Sequence, residues 1–142
     1  IQDNLRQIGI EVKLEPLERS VLIDRVYTKR DFDMTLGSFY SAGDPAIGYT
    51  RLYVTNTSTA ANTNASGYSN PKVDDLLQQA ATNPDRAVRA KLYKDLQVIL
   101  NDDLPSLVLF DEETVDTASK KLQGVFPALD GRDQWAGVRR VD

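Results

Sequence analysis

Two helix-start signals in the second half of the chain constrain its fold most strongly. Asn70-Pro71 places a preferred N-cap residue directly before a proline at the first helical position, and Asn83-Pro84-Asp85 repeats this arrangement. Apolar residues at helical spacing follow both starts, and Pro105 lies just beyond the second helix. The sequence therefore predicts two consecutive amphipathic helices, the second ending near Asp102.

The apolar faces of these two helices supply the candidate core. The first face consists of Val73, Leu76, Leu77 and Ala80, and the second of Val88, Leu92, Leu96, Ile99 and Leu100.

Three other segments have strand patterns. Ile10 to Leu14 and Phe32 to Leu36 alternate apolar and polar residues, as does a strand with one buried face. Ser106 to Phe110 contains a continuous apolar run, which predicts a strand buried on both faces or a segment that crosses into another domain. A short amphipathic helix is expected from Arg19 to Lys29. The fold class is therefore α/β or α+β with a small sheet.

The first residues have the spacing of a helix that ends at a glycine. Ile1, Leu5 and Ile8 share one helix face, and Gly9 is typical of a helix C-terminus. We expect the chain to begin inside a helix, as an excised fragment would.

Regular patterns stop between Gly37 and Pro71, where small and polar residues dominate. A long irregular stretch in a compact domain is usually functional or mobile. Its aromatic residues indicate partial burial or a ligand surface, and a short helix is expected near Ile47 to Val54. These aromatic residues are Phe39, Tyr40, Tyr49, Tyr53 and Tyr68.

Composition excludes several classes of function. The chain of 142 residues contains no cysteine and no histidine, which excludes disulfides, thiolate catalysis, Cys/His zinc sites and any catalytic triad with a histidine base. The net charge of −4, without a cluster of lysine and arginine, disfavours nucleic acids and anionic membranes as partners.

The carboxylates do not form a recognisable catalytic or metal-binding motif. Asp74-Asp75, Asp102-Asp103 and Asp111-Glu112-Glu113 are adjacent rather than convergent, and none has the spacing of a calcium loop. Acids are common at helix ends and turns, so solvated or capping roles are favoured. We expect no catalytic residue, no bound metal and no cofactor.

Six short motifs follow one another along the chain: Ile1-Gln2-x-x-Leu5-x-x-Ile8-Gly9-Ile10-x-Val12, Phe32-Asp33-Met34, Gly43-Asp44-Pro45, Gly67-Tyr68-Ser69-Asn70-Pro71-x-Val73-Asp74-x-Leu76-Leu77, Arg89-x-x-Leu92-Tyr93 and Asp102-Asp103-Leu104-Pro105. In this order they resemble family 5 of the bacterial extracellular solute-binding proteins, the oligopeptide, dipeptide and nickel class of ABC-transporter binding proteins.

The resemblance implies a periplasmic-binding-protein-like fold of type II. Residues 1–142 would form a single domain, the second (C-terminal) lobe of a longer two-lobed protein, and residues 106–142 would lead back toward the missing first lobe. A small mixed sheet flanked by helices is expected, with some apolar surface that the truncated domain covers by dimerising.

The resemblance also implies a substrate-binding component of an ABC importer, which is not an enzyme. Its partners would be a small-molecule or peptide ligand, the permease subunits and the missing N-terminal lobe of the same chain. Ligand would bind between open lobes and stabilise the closed form. The location would be the periplasm or, in a Gram-positive host, the outer face of the membrane as an anchored lipoprotein.

Dipeptide-binding members resemble one another in the loop after the Phe-Asp-Met strand, where an aspartate pairs with the amino terminus of the peptide. Without gaps, that aspartate falls on Ser41 and the family's tryptophan on Ser38. A neutral serine cannot give the charge-assisted bond that an ammonium group favours, so the departure disfavours a standard dipeptide ligand. The predicted ligand-binding residues are Ser38, Phe39, Tyr40 and Ser41, followed by Asn64 and Tyr68.

Two other hypotheses remain open from the sequence alone. One is a sensory or docking domain that has this fold without transport. The other is a small hydrolase that uses a carboxylate pair in the long irregular stretch.

Overall fold

A computed structural model describes residues 1–39, 43–56, 58–111, 113, 115, 117–125 and 137–141. In chain order the helices are α1 (Gln2–Gln7), α2 (Arg19–Ile23), α3 (Pro45–Gly48), α4 (Thr50–Tyr53), α5 (Pro71–Thr82) and α6 (Arg86–Asp103). A π-helical segment, Asp24–Lys29, continues α2. The strands β1 (Leu122–Gln123) and β2 (Arg139–Arg140) pair antiparallel, with Leu122 opposite Arg140 and Gln123 opposite Arg139.

Helix α5 begins at the capping residue that the sequence predicts, whereas α6 begins two residues later than expected, because Asp85 rather than Asn83 is its N-cap. The Asn70 side chain accepts a hydrogen bond from the Lys72 backbone N–H at 3.1 Å, and Pro71 is the first residue of α5. Asp85 caps α6 by accepting from two successive backbone N–H groups. The left-handed backbone of Leu104 ends α6, one residue beyond the expected end. Both predicted helices are confirmed.

The core lies between these two helices. The predicted inward residues of α5 are all buried, and Leu96 of α6 is buried against them. Partly buried side chains surround this cluster; they are Tyr53, Val54, Tyr68, Leu92, Tyr93, Ile99 and Leu100. Val88 was expected to face inward, but it lies in the first turn of α6 and remains exposed. Its inward prediction is wrong because nothing in the described core covers that turn.

The three predicted strands are absent from the described residues. Ile10 to Leu14 and Phe32 to Leu36 belong to no sheet, and their apolar side chains are largely exposed. Leu107 to Phe110 was expected to be buried on both faces, yet these four side chains are 45–76% exposed. Isolated strands do not persist without a neighbour that receives their hydrogen bonds. The described residues supply no such neighbour for these segments.

The remaining short helices agree with the sequence. The expected Arg19 to Lys29 helix forms, although its second half has π geometry and buries Val26 and Tyr27. The helix expected near Ile47 to Val54 forms as α3 and α4, and α1 ends before Gly9, whose φ is +83°. None of the helices among the described residues has the length and apolar character needed to cross a membrane.

Candidate functional site

The predicted ligand loop is described at its two ends. Ser38 is exposed, and Phe39 is partly exposed with its ring folded back over Gly37. Tyr40 and Ser41 lie outside the described residues. The loop returns at Gly43, whose φ of +77° is a left-handed conformation that costs little only for glycine. The described part of the site thus consists of the loop's entry and its return.

Asp44 anchors the return of this loop to the core helix α6. Nη2 of Arg89 donates to both carboxylate oxygens of Asp44, at 2.6 and 2.7 Å. The two residues lie 45 positions apart. Both side chains are partly buried, so solvent screens their attraction somewhat less than it screens that of a fully exposed surface pair. The bond fixes the start of α3 against α6.

Further contacts hold each partner of this ion pair. Asp44 is also the N-cap of α3 and accepts from the Ala46 N–H at 2.9 Å. The Nε of Arg89 donates to the Ala80 carbonyl at 2.9 Å, and its Cζ lies 5.8 Å from the centre of the Tyr93 ring. The Arg89 guanidinium, followed by the Ala46 N–H, holds the pKa of the Asp44 carboxyl below its usual range. Asp44 is therefore held as a carboxylate.

Asn64, which with Tyr68 was the weaker part of the predicted ligand site, is buried, with 2% of its surface exposed. Its Nδ2 donates to the backbone carbonyls of Val54 and Tyr68, at 3.0 and 2.8 Å. Its Oδ1 accepts from the Ser66 hydroxyl at 3.1 Å. These bonds use both amide hydrogens and join the two ends of the loop between α4 and α5. The geometry favours a loop-stabilising role for Asn64, and its role as a ligand residue stays a prediction.

Tyr68 connects the same loop to the end of α6. Its hydroxyl donates to Oδ2 of Asp103 at 2.5 Å, and Nδ2 of Asn70 donates to the same oxygen at 2.9 Å. Burial, with the bond to Asp103 second, raises the pKa of Tyr68 to about 12. The donors, Tyr68 first, lower the pKa of the Asp103 carboxyl. The ligand role of Tyr68 is also still a prediction.

The loop between α4 and α5 has other supports around its edge. The Thr55 N–H donates to Oδ1 of Asp74 at 2.7 Å, which ties the loop to the first turn of α5. Nη2 of Arg30 donates to the Asn56 carbonyl at 3.2 Å, which ties it to the segment after the π-helix. The loop between α4 and α5 is thus bonded to α5, to the end of α6 and to the segment after the π-helix.

Sequence reasoning missed the partners that hold these loops. Arg89 was noted only as a motif residue, and Asp103 only as a motif residue and one of the adjacent carboxylates, yet they bind Asp44 and Tyr68 respectively. The one available signal was that opposite charges occur in two family motifs, at Asp44 and Arg89. Nothing local indicates that these positions meet, because residues 45 positions apart are brought together only by the fold of the chain.

Several carboxylates that the sequence analysis considered bind neighbouring protein groups in the structure. Asp74 and Asp103 accept the bonds already given, and Asp75 accepts from Nε2 of Gln79 at 2.7 Å. Glu112 lies outside the described residues. Among the residues that the structure covers, no group of three or more acidic side chains could hold a metal ion.

Comparison with curated proteins finds several binding proteins that are similar to this chain. It is 32% identical over 130 residues to the glutathione-binding protein GsiB of Pectobacterium atrosepticum, covering 88% of this chain and 25% of that protein. It is 31% identical over 124 residues to the probable D,D-dipeptide-binding periplasmic protein DdpA of Escherichia coli, covering 87% and 24%. The peptide transport periplasmic protein SapA of Salmonella typhimurium is 25% identical over 140 residues, covering 99% and 25%.

These matches cover nearly all of this chain but a limited part of each relative. The chain spans about a quarter of the length of the curated relatives it matches. No protein-family model matches it, and no solved structure matches it.

Proposed function

We propose that this chain is part of a binding protein of family 5 of the bacterial extracellular solute-binding proteins, and that it helps an ABC importer capture a peptide or peptide-like solute. The observation that carries the proposal is the similarity of 31–32% over 87–88% of the chain to two binding proteins. Their names specify glutathione and D,D-dipeptides, and a third relative is named for peptide transport. All three names describe small molecules that contain amide bonds.

We propose that the loop from Ser38 to Ser41 contacts this ligand. Phe39 supports this role because its partly exposed aromatic ring offers a surface for an apolar or planar ligand group. Asn64 and Tyr68 would contribute less directly, by holding the neighbouring loop. A ligand that lacks a free ammonium group would suit a neutral Ser41.

The exposed apolar segments support a second part of the proposal, that residues 1–142 are the second lobe of a longer two-lobed protein. Leu107 to Phe110 expose four successive large apolar side chains, and Ile10, Leu14, Met34 and Leu36 are exposed as well. Exposed apolar surface of this extent usually marks an interface. Residues 106–142 would lead toward the first lobe, and in the isolated chain the same surface would favour dimerisation.

The partners and location follow from this role. The binding protein would close around its ligand and deliver it to the permease subunits of the importer. It would work in the periplasm or, in a Gram-positive host, on the outer face of the membrane as a lipoprotein. It would transport rather than transform its ligand, so no enzymatic step is proposed.

Calorimetric titration of the protein as its own cells produce it tests the proposal. The probes are glutathione, D-alanyl-D-alanine and trialanine, and free glycine and alanine serve as controls. We expect at least one probe to bind with saturation and to raise the melting temperature. A ligand at about 100 times its Kd adds about 2.7 kcal/mol to the free energy of unfolding.

A variant of the loop makes the test specific to the site. Phe39→Ala should weaken binding of that probe, whereas Tyr49→Phe, on a partly exposed side chain outside the loop, should leave it unchanged. Absence of binding by all three probes would contradict the proposed ligand class. Equal binding by Phe39→Ala and the unaltered protein would remove Phe39 from the site.

A further inference from the structure

An exposed face of α6 carries two charged side chains between two apolar ones. Its four residues follow one another at spacings of three, four and three positions, which places them in one row along the helix; they are Val88, Lys91, Asp95 and Val98. Val88 and Val98 are 43% and 62% exposed. The side chains of Lys91 and Asp95, which pair at 2.6 Å, are 76% and 48% exposed. The row is therefore accessible to another surface.

This row is complementary to itself when a second copy of the helix runs antiparallel to the first. Tyr93 lies midway between Val88 and Val98 in the sequence, and the same position is midway between Lys91 and Asp95. A two-fold axis at that position would bring Val88 against Val98 of the second copy. It would also bring Lys91 against Asp95 of the second copy. Each contact would occur twice, so two apolar contacts would flank two pairs of opposite charge.

The distribution of charge along the whole of α6 favours the same antiparallel arrangement. The first nine residues of the helix contain four basic side chains, and the last nine contain three acidic ones; these are Arg86, Arg89, Lys91, Lys94, Asp95, Asp102 and Asp103. This order opposes the helix dipole, which favours acidic residues near the N-terminus and basic residues near the C-terminus. In an antiparallel pair, each basic half would lie beside the acidic half of the second copy, and the two helix dipoles would be opposed.

We infer that two copies of this protein associate through an antiparallel pairing of α6, centred on Tyr93. The partner is a second copy because the row matches itself in spacing, in charge and in the placement of its valines. The association is independent of the proposed ligand, and it uses a different surface from the exposed run Leu107 to Phe110. One helix from each copy buries less than the roughly 1,200–2,000 Å² of a standard interface. The dimer should therefore form in concentrated protein and dissociate in the dilute protein used to measure unfolding.

Engineered disulfides in the concentrated full-length protein test the register of this pairing, and the 142 residues contain no cysteine that would interfere. Under mild oxidation the double variant Val88→Cys/Val98→Cys should form disulfide-linked dimers, because each new thiol faces its counterpart in the second copy. Val88→Cys alone and Val98→Cys alone are the matched controls. Each should form few linked dimers, since the two copies of either position lie about 15 Å apart along the helix axis.

Sedimentation equilibrium of charge variants tests the contacts themselves. Lys91→Glu and Asp95→Lys should each raise the dissociation constant of the dimer about tenfold, because like charges then face each other on both sides of the axis. The combined variant Lys91→Glu/Asp95→Lys should restore dimerisation, since opposite charges meet again both within and between the helices. Lys72→Glu changes an exposed charge on α5 and should leave the dissociation constant unaltered. Restoration by the combined variant also shows that the single variants did not act by unfolding the helix.

Three results would overturn the inference. Full-length protein that remains monomeric at its highest soluble concentration would show that α6 does not join two copies. Linked dimers that form as readily with Val88→Cys alone as with the double variant would exclude the antiparallel register. Dimerisation that is unchanged in both Lys91→Glu and Asp95→Lys would place the contact on another surface of the protein.

Discussion

Leu77 is the residue whose environment most directly determines the stability of the α5–α6 pair. Its side chain is 1% exposed and lies in the cluster formed with Val73, Leu76 and Leu96. Truncation to alanine should lower the free energy of unfolding by about 2–5 kcal/mol, because it removes buried methyl groups and leaves a cavity. Val98→Ala is the matched control, since Val98 is 62% exposed on α6 and should change stability by less than about 0.5 kcal/mol. Urea denaturation of both variants measures the difference.

The raised pKa of Tyr68 should make the free energy of unfolding depend on pH in the alkaline range. Burial and the bond to Asp103 raise its pKa to about 12, above its usual value of 10. A group whose pKa is raised by folding stabilises the folded state fully below its unfolded pKa, and this stabilisation disappears as the pH rises through the folded pKa. The difference in free energy of unfolding between the unaltered protein and Tyr68→Phe should therefore be constant below pH 10 and shrink toward pH 12.

Urea denaturation at a series of pH values measures this difference. Tyr49→Phe serves as the control, because its side chain is partly exposed and outside the contact with Asp103. A difference for Tyr68→Phe that does not change between pH 10 and pH 12 would show that the hydroxyl of Tyr68 is not held as the structure describes.

At the scale of elements, the N-terminus of α6 depends on one capping carboxylate. Asp85 accepts from the N–H groups of Ala87 and Val88, at 2.7 and 3.1 Å. Asp85→Ala should cost about 1 kcal/mol, because two N–H groups at the start of the helix lose their acceptor. Asp102→Ala makes the same change at the other end of α6, where a negative charge opposes the helix dipole, and should not destabilise the protein. Thermal unfolding monitored by circular dichroism compares the two variants; equal losses would contradict the capping role.

How well each element could be predicted depends on where its stabilising contacts come from. The start of α5 was predictable, and that of α6 to within two residues, because the caps Asn70 and Asp85 act within a few residues of the chain. The strands expected at Ile10 to Leu14 and Ser106 to Phe110 do not form, because a strand needs a distant segment to receive its hydrogen bonds, and the sequence does not show whether that segment is present. The same reason hid the Asp44–Arg89 pair, whose members lie 45 positions apart. Local sequence patterns therefore predicted the helices, whereas the contacts between loops and helices could be seen only in the structure.

At the scale of the whole molecule, both loops of the candidate site are bonded to the same core helix. The α5–α6 pair contains the buried core, and both loops of the candidate site are attached to it from outside. Arg89 attaches the first loop and Asp103 the second, and both residues belong to α6. A single helix thus connects the two groups of predicted ligand residues, and changes in the packing of α6 should reach both of them.

The exposed run Leu107 to Phe110 gives the prediction that tests the lobe assignment. Four large apolar side chains in succession, 45–76% exposed, favour burial against another surface over exposure to water. In the full-length protein these amides should exchange slowly with deuterium, because a neighbouring strand or lobe would cover them. In the isolated 142-residue chain they should exchange quickly at low concentration, and more slowly at high concentration if the same surface forms a dimer. Fast exchange in the full-length protein would mean that no other part of it covers this run, and would contradict the assignment of residues 106–142 as the connection to a first lobe.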